Sequence, residues 1–181
     1  YHPVTMNDSN VDELVGQFLE AIKMFSEIQF IVTKSNADQG GAKINKLLDR
    51  ANDDIDNLHV YTSLGMVRYL SLMKYSEFVL GNSSSGIIEA PVFRVPTVNI
   101  GDRQRGRFQV DSIINCSEDA SSIVKAIKLA LSEEFKRKCQ KVDNPYGSGN
   151  TGEQIAKKIY EIVNDGKIDL KKKFFDIEVT K

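Results

Sequence analysis

The stretch GNSSSGIIEAP, residues 81–91, sets three serines between two glycines at the mouth of a short helical pattern. Small hydroxyl side chains at a helix start suit two kinds of chemistry. Such a start exposes about four unpaired N–H groups and carries roughly half a positive charge. Hydroxyls there either cap the helix or join those N–H groups around a phosphate. Gly81 and Gly86 permit close backbone approach, and Ser83, Ser84 and Ser85 add donors, so together they suit a diphosphate. A capped helix with spare serines is the competing reading. The loop is not a Walker A motif, because GxxxxGK[ST] is absent.

Glu89 follows Gly86 by three residues. It reads either as a capping-box carboxylate closing back on the helix start or as an acceptor for two neighbouring sugar hydroxyls. GDRQRGR, residues 101–107, packs Arg103, Arg105 and Arg107 into one short loop. Charge runs are usually solvated, but guanidiniums at a strand end also give bidentate anion recognition. Arg103 is nearest the strand and is the one expected to turn inward. His2, before Pro3, carries an imidazole whose ordinary pKa of about 6.5 suits phosphate contact or proton transfer. Asn36 and Asp38 read equally as a helix cap, and His59 falls inside a strand pattern.

These residues need a scaffold, and the apolar pattern supplies one. Short apolar runs at 28–34, 58–62, 77–82, 96–100 and 111–116 read as strands buried on both faces. Helical periodicity marks 11–25, 40–52, 65–74, 86–93, 119–131, 132–140 and 152–164. YHPV, residues 1–4, looks like the end of a further strand. This alternation predicts an α/β fold with right-handed crossovers, a mostly parallel sheet and helices on both faces. Such sheets bind ligands beyond the carboxyl ends of their strands. The serine loop, the arginine loop, His2, Asn36 and Tyr61 all fall at such ends.

With 181 residues, 41% hydrophobic and 27% charged, the chain is long enough for one domain with its own core. A net charge of −1, from 24 basic and 25 acidic residues, gives no field to hold nucleic acid. No apolar run approaches the roughly 20 residues that span a bilayer. Cys116 and Cys139 lie far apart, a poor disulfide framework that suggests a reducing compartment. No GxGxxG fingerprint, GxSxG elbow, clustered metal ligands or paired catalytic carboxylates occur in these loops, so neither a cofactor nor a metal is indicated.

YHPVT, GNSSSGIIEAP, VPTVNIGDRQRGR and NPYGSGNTGEQI, in this order, resemble the carboxyl-terminal half of UDP-N-acetylglucosamine 2-epimerases, the hydrolysing branch above all. The resemblance covers roughly residues 1–165. It implies one half of a GT-B fold, a Rossmann-like UDP-binding domain over 1–165 followed by a charged tail over 166–181. It further implies that Ser83, Ser84 and Gly86 hold the diphosphate and that Glu89 binds the ribose hydroxyls. Arg103 and His2 would contact phosphate or the reacting sugar, with His2 as the catalytic candidate. Asn36 and Tyr61 would line the nucleotide pocket, although some relatives carry histidine at the Tyr61 position. The reaction so implied is elimination of UDP from UDP-N-acetylglucosamine, then addition of water to give N-acetylmannosamine, in the service of sialic-acid-type sugar synthesis. The implied partners are the UDP-sugar and the amino-terminal domain of the same enzyme, which supplies acid/base carboxylates; alone, this chain is expected to bind UDP weakly without turnover. A cytoplasmic location follows from the UDP-sugar supply, and a homo-oligomer is left open. The donor domain of a GT-B glycosyltransferase and a non-catalytic nucleotide-sugar-binding module are the alternative readings. The resemblance also predicts a central strand before HPVT, and an open seam in the sheet wherever that strand is not in place.

Overall fold

The structure, a computed structural model, describes residues 11–35, 40–147, 149–166 and 171. It divides into two compact units, Tyr1–Tyr146 and Gly147–Lys181. In the first, the elements run α1 (Val11–Lys23), β1 (Phe30–Thr33), α2 (Gly41–Asp54), β2 (Leu58–Tyr61), α3 (Gly65–Tyr75), β3 (Val79–Gly81), α4 (Ser85–Ile88), a 3-10 turn (Ala90–Phe93), β4 (Thr97–Ile100), β5 (Ile113–Cys116), α5 (Ala120–Leu131) and α6 (Glu133–Cys139). The expected α/β alternation is present, with every ladder among the described residues parallel.

The strands form two ladders, β1–β2 and β3–β4–β5. Their side chains alternate between faces. On one face Phe30, Leu58, Val98 and Ile100 pack with α1, α2 and α5 into a single core. Helical spacing explains which residues reach it: Val11, Val15, Phe18 and Ile22 from α1, Ile44, Leu48 and Ala51 from α2, and Ile123, Ile127 and Ala130 from α5. The opposite face of β4 turns Thr97 towards α4, where its hydroxyl donates to the Gly86 carbonyl. Helices therefore cover both faces of the β3–β5 ladder.

Long-range polar contacts set the loops. The buried Asn57 amide donates to the Phe25 and Ile28 carbonyls at 2.7 and 2.9 Å, tying the turn after α1 to the entry of β2. Gln17 on α1 accepts the Ala120 N–H at 2.8 Å, so α1 caps part of α5. Asp119 is the N-cap of α5 proper.

The expected helix over 86–93 is instead two pieces. α4 ends at Ile88, and a 3-10 turn with Pro91 in its first turn takes over. Proline has no N–H to donate to an upstream carbonyl, so an α-helical ladder cannot run through this point.

In the second unit α7 (Thr151–Asn164) follows Asn150, which holds a left-handed conformation at φ 58°. Its apolar residues Ile155, Ile159, Ile162 and Val163 form a stripe, and none of its residues is buried.

Candidate functional site

The carboxyl ends of β3 and β4 bring the serine loop and the arginine loop together. Gly86 sits where α4 meets β4. A Cβ there would lie 2.8 Å from Thr97 Cγ2, so only glycine lets the loop lie this close to the strand. The Thr97 hydroxyl then holds the Gly86 carbonyl at 2.9 Å.

The three serines do different things. Ser83 Oγ accepts the Ser85 N–H at 3.3 Å, a turn closed within the loop. Ser85 Oγ accepts the Tyr69 hydroxyl of α3 at 2.9 Å. Ser84 occupies the N-cap position of α4 but makes no side-chain cap bond. Ser83 thus serves the helix start, while the Ser84 hydroxyl makes no cap bond. The phosphate reading also needs adjusting. α4 is a single turn, and the N–H groups of Gly86 and Ile87 already donate to Ser83 and Ser84 carbonyls at 3.2 and 3.0 Å. Hydroxyls rather than a long helix dipole are what this loop offers an anion.

Two side chains of the arginine loop converge on one atom. Arg103 Nη1 and Gln104 Nε2 both donate to the Asn82 carbonyl, at 3.0 and 2.7 Å. Asn82 and Gln104 are each 1% exposed. This clamp fixes the backbone just before Ser83. All three arginines of the loop are exposed residues; Arg103 differs in reaching the Asn82 carbonyl, while Arg105 lies against Asp102 at 3.8 Å. Gly101 starts the loop at φ +69°, a left-handed conformation, with its N–H on the Cys116 carbonyl at 2.9 Å. Below it the Asn99 amide donates to Asn115 Oδ1 at 2.8 Å, and Asn115 donates to Gln109 at 2.7 Å.

Glu89 stands at the end of α4 rather than in its first turn. It cannot close a capping box, because Ser84 is the N-cap and the third helical position is Ile87. Its Oε2 is buried with no hydrogen-bond partner among the described residues. Gln104 Oε1 is buried and unpartnered in the same way. Buried polar atoms are normally paired, and a carboxylate oxygen left unmet is costly. Two acceptors in this state flank the loop that presents the Ser84 hydroxyl.

The neighbouring rim at the end of β5 is electrostatically distinct. The Ser117 hydroxyl, the Ser122 N–H and the Ser121 hydroxyl donate to Asp119 and hold its carboxyl at a pKa of about 2. Burial, with the Asp119 charge adding to it, pushes the Cys116 thiol up to about 11. Cys116 is a neutral thiol at physiological pH and no nucleophile.

Of the residues singled out from sequence, the structure gathers Ser83, Ser84, Gly86, Glu89 and Arg103 around the ends of β3 and β4. Tyr61 ends β2, in the other ladder, and is 47% exposed. His2 and Asn36 lie outside the described residues. Sequence reasoning missed Gln104, Asn82 and Tyr69. The signal for Gln104 was its place inside the GDRQRGR stretch that carries the resemblance. Among the described residues no group of three His, Cys, Asp or Glu side chains is placed to hold a metal ion. No helix among them is long and apolar enough to cross a membrane.

Comparison with known proteins adds to this geometry. The family model described as UDP-N-acetylglucosamine 2-epimerase matches residues 1–160. A hydrolysing GDP/UDP-N,N'-diacetylbacillosamine 2-epimerase of Campylobacter jejuni is 37% identical over 138 residues, which are 76% of this chain and 35% of that protein. A polysialic acid biosynthesis protein of Escherichia coli is 33% identical over 178 residues, covering 98% of this chain and 45% of the relative. The crystal structure of UDP-GlcNAc 2-epimerase from Neisseria meningitidis bound to UDP-GlcNAc superposes with a TM-score of 0.61 at 17% identity, over 83% of this chain and 41% of that one. The chain thus spans less than half the length of these relatives. The parallel α/β architecture and the match over residues 1–160 place this chain in the UDP-N-acetylglucosamine 2-epimerase family.

Proposed function

We propose that this chain is the UDP-binding half of a hydrolysing UDP-N-acetylglucosamine 2-epimerase and forms one side of a GT-B cleft. The observation that carries the reading is Glu89. Its Oε2 is buried and unmet beside a clamped serine loop, the state expected of an acceptor waiting for ligand hydroxyls. In this reading the ribose hydroxyls donate to Glu89. Ser83, Ser84 and the Gly86 loop take the diphosphate, with the Arg103 guanidinium alongside, anchored on the Asn82 carbonyl. Asn36 and Tyr61 line the nucleotide side, and His2 faces the phosphate or the reacting sugar.

The chemistry needs a good leaving group. A base takes the proton from sugar C2, the C1–O bond to UDP breaks with its electron pair, and a C1–C2 double bond forms. Water then adds across that bond to give N-acetylmannosamine. Donors held in place around the diphosphate stabilise the charge that develops on departing UDP. The amino-terminal half of the whole enzyme supplies the acid/base carboxylates, so the chain alone binds UDP without turning over UDP-sugar. The domain covers 1–165, the tail 166–181, and the enzyme works in the cytoplasm on sugar nucleotides for sialic-acid-type products.

Calorimetric titration with UDP tests this, on the chain as given and on the whole enzyme. Saturable binding, weakened by Glu89→Ala and by Arg103→Ala, is expected. A folded whole enzyme that ignores UDP, or binds it equally well with both substitutions, would overturn the assignment.

A further inference from the structure

NPYG, residues 144–147, reaches the arginine loop from far along the chain. The Tyr146 hydroxyl donates to the Phe108 carbonyl at 2.9 Å, across 38 positions. Phe108 belongs to the loop between β4 and β5, the same loop that carries Arg103 and Gln104.

The turn around Tyr146 is built to present this phenol. Asn144 Oδ1 accepts the Tyr146 N–H at 3.1 Å, an Asx turn that bends the chain just ahead of the ring. Pro145 lies between them, and its own ring fixes its φ, so the turn loses little conformational freedom on forming. Gly147 follows at φ +110°, a conformation that residues with side chains rarely adopt. Asparagine, proline and glycine thus each have a backbone task here, and the tyrosine carries the contact.

The other bonds of the arginine loop say what that contact does. Gly101 fixes the entrance, with its N–H on the Cys116 carbonyl. The Arg107 N–H donates to the Gln104 carbonyl at 3.2 Å. Arg103 and the Gln104 side chain in turn hold the Asn82 carbonyl. Phe108 is the residue after Arg107, so Tyr146 grips the backbone one residue beyond the turn that carries the clamp. Three hydrogen bonds lead from its hydroxyl to the carbonyl just ahead of Ser83. Tyr69 of α3 tethers the serine loop in the same manner, through Ser85 Oγ at 2.9 Å. Each loop is held by a phenol from outside it.

The arginine loop needs such a hold. Residues 102, 103 and 105–108 are exposed, and Gln104 alone among 102–108 is buried. Ordering an exposed backbone costs conformational entropy. Where a tether orders it beforehand, ligand binding does not bear that cost.

We propose that Tyr146 is a positioning residue for the proposed UDP site: it holds the arginine loop so that the Arg103 guanidinium stands at the serine loop before ligand arrives, and NPYG is the turn that presents it. The inference rests on the reading of the serine and arginine loops as a diphosphate site.

Tyr146→Phe in the whole enzyme tests this, because it keeps the ring and removes only the hydroxyl. UDP affinity, measured by calorimetry, should fall about 5-fold, the scale of one net hydrogen bond. In an Arg103→Ala background the same substitution should change affinity by about 2-fold or less, because the group it positions is already gone. Without ligand, the Arg107 amide should exchange about 5-fold faster in Tyr146→Phe than in the parent. Unchanged UDP affinity in Tyr146→Phe would overturn the proposal, since the bond would then only stabilise the surface. An equal loss with Arg103 already replaced would also overturn it, since the hydroxyl would then act elsewhere. The two readings fail separately. If Arg103→Ala bound UDP like the parent, the diphosphate reading would fall and the positioning role with it. If UDP binding needed Arg103 but not the Tyr146 hydroxyl, the positioning role alone would fall.

Discussion

The carboxyl ends of β1 and β2 and those of β3 and β4 treat their polar groups in opposite ways. At the end of β1, Asn45 of α2 accepts the Ser35 N–H at 2.9 Å and donates to the Ser35 carbonyl at 3.1 Å. Asn52 of the same helix accepts the Val60 N–H at 2.7 Å. Each asparagine meets a backbone group that the strand would otherwise leave open. At the ends of β3 and β4 the Asn82 carbonyl accepts from both Arg103 and Gln104, while Glu89 Oε2 and Gln104 Oε1 have no donor among the described residues. The first arrangement is structural closure. The second keeps acceptors open among the described residues, as the proposed binding site requires.

Substituting Glu89 should have the largest effect and is the sharpest way to break this contrast. Glu89→Gln should weaken UDP binding by about 10- to 100-fold, the span of a hydrogen bond to a charged group. It should also raise the thermal unfolding midpoint, because a buried unmet carboxylate is removed. Calorimetry and thermal denaturation together decide: a lower midpoint with unchanged affinity would make Glu89 a structural residue.

Gly86→Ala comes next. The new Cβ would press on Thr97 Cγ2 at 2.8 Å, and overpacking of this kind costs about 1–3 kcal/mol. Thr97→Ser removes the offending methyl but keeps the hydroxyl bond to Gly86, so the double variant should recover most of the loss in urea unfolding. Failure of that rescue would mean that the close approach is not what demands glycine.

A smaller, paired effect separates the two regions directly. Asn45→Ala removes the two hydrogen bonds between Asn45 and the Ser35 backbone and should cost about 1–2 kcal/mol of stability while leaving UDP affinity in the folded protein unchanged. Gln104→Leu should do the reverse. It frees the loop before Ser83, lowering UDP affinity about 10-fold, and has little effect on stability because it also removes the unmet Oε1. If the two variants gave the same pattern, the contrast between the ends would collapse.

The smallest effect concerns the rim at β5. Asp119 has a folded-state pKa lowered from 3.8 to about 2 by the Ser117, Ser122 and Ser121 donors. Its contribution is therefore fully present above about pH 4 and is lost as pH falls towards 2. Asp119→Asn should flatten this part of the stability–pH curve, with variant and parent converging near pH 2. Curves that stay parallel from pH 5 to 2 would show that the carboxylate's charge contributes nothing.

Helices and strands were legible in the sequence because their signal is local. The spacing of Val11, Val15, Phe18 and Ile22 marks one face of α1 whatever it packs against, and the apolar runs at 28–34, 58–62 and 96–100 lie within a residue or two of the bounds of β1, β2 and β4. The break in the expected 86–93 helix was legible too, in Pro91, but its weight was missed. The serine loop, Glu89 and Arg103 stood out by type and spacing, and the fold brings them to the ends of β3 and β4, where the proposed site lies. Gln104 did not, since a glutamine within a charged run looks solvated until the fold buries it.

The sequence by itself determined the elements and the parallel sense of their strands, because periodicity, proline and handedness act within a few residues or one crossover. Only the tertiary structure decided how each polar atom is used. It took Ser85 for Tyr69, left Ser84 without a cap bond, joined Arg103 and Gln104 on the Asn82 carbonyl, and buried Glu89 Oε2 with no partner among the described residues. It also set the Tyr146 hydroxyl on the Phe108 carbonyl. Satisfaction and burial are sums over neighbours distant in the chain, and no local pattern carries them.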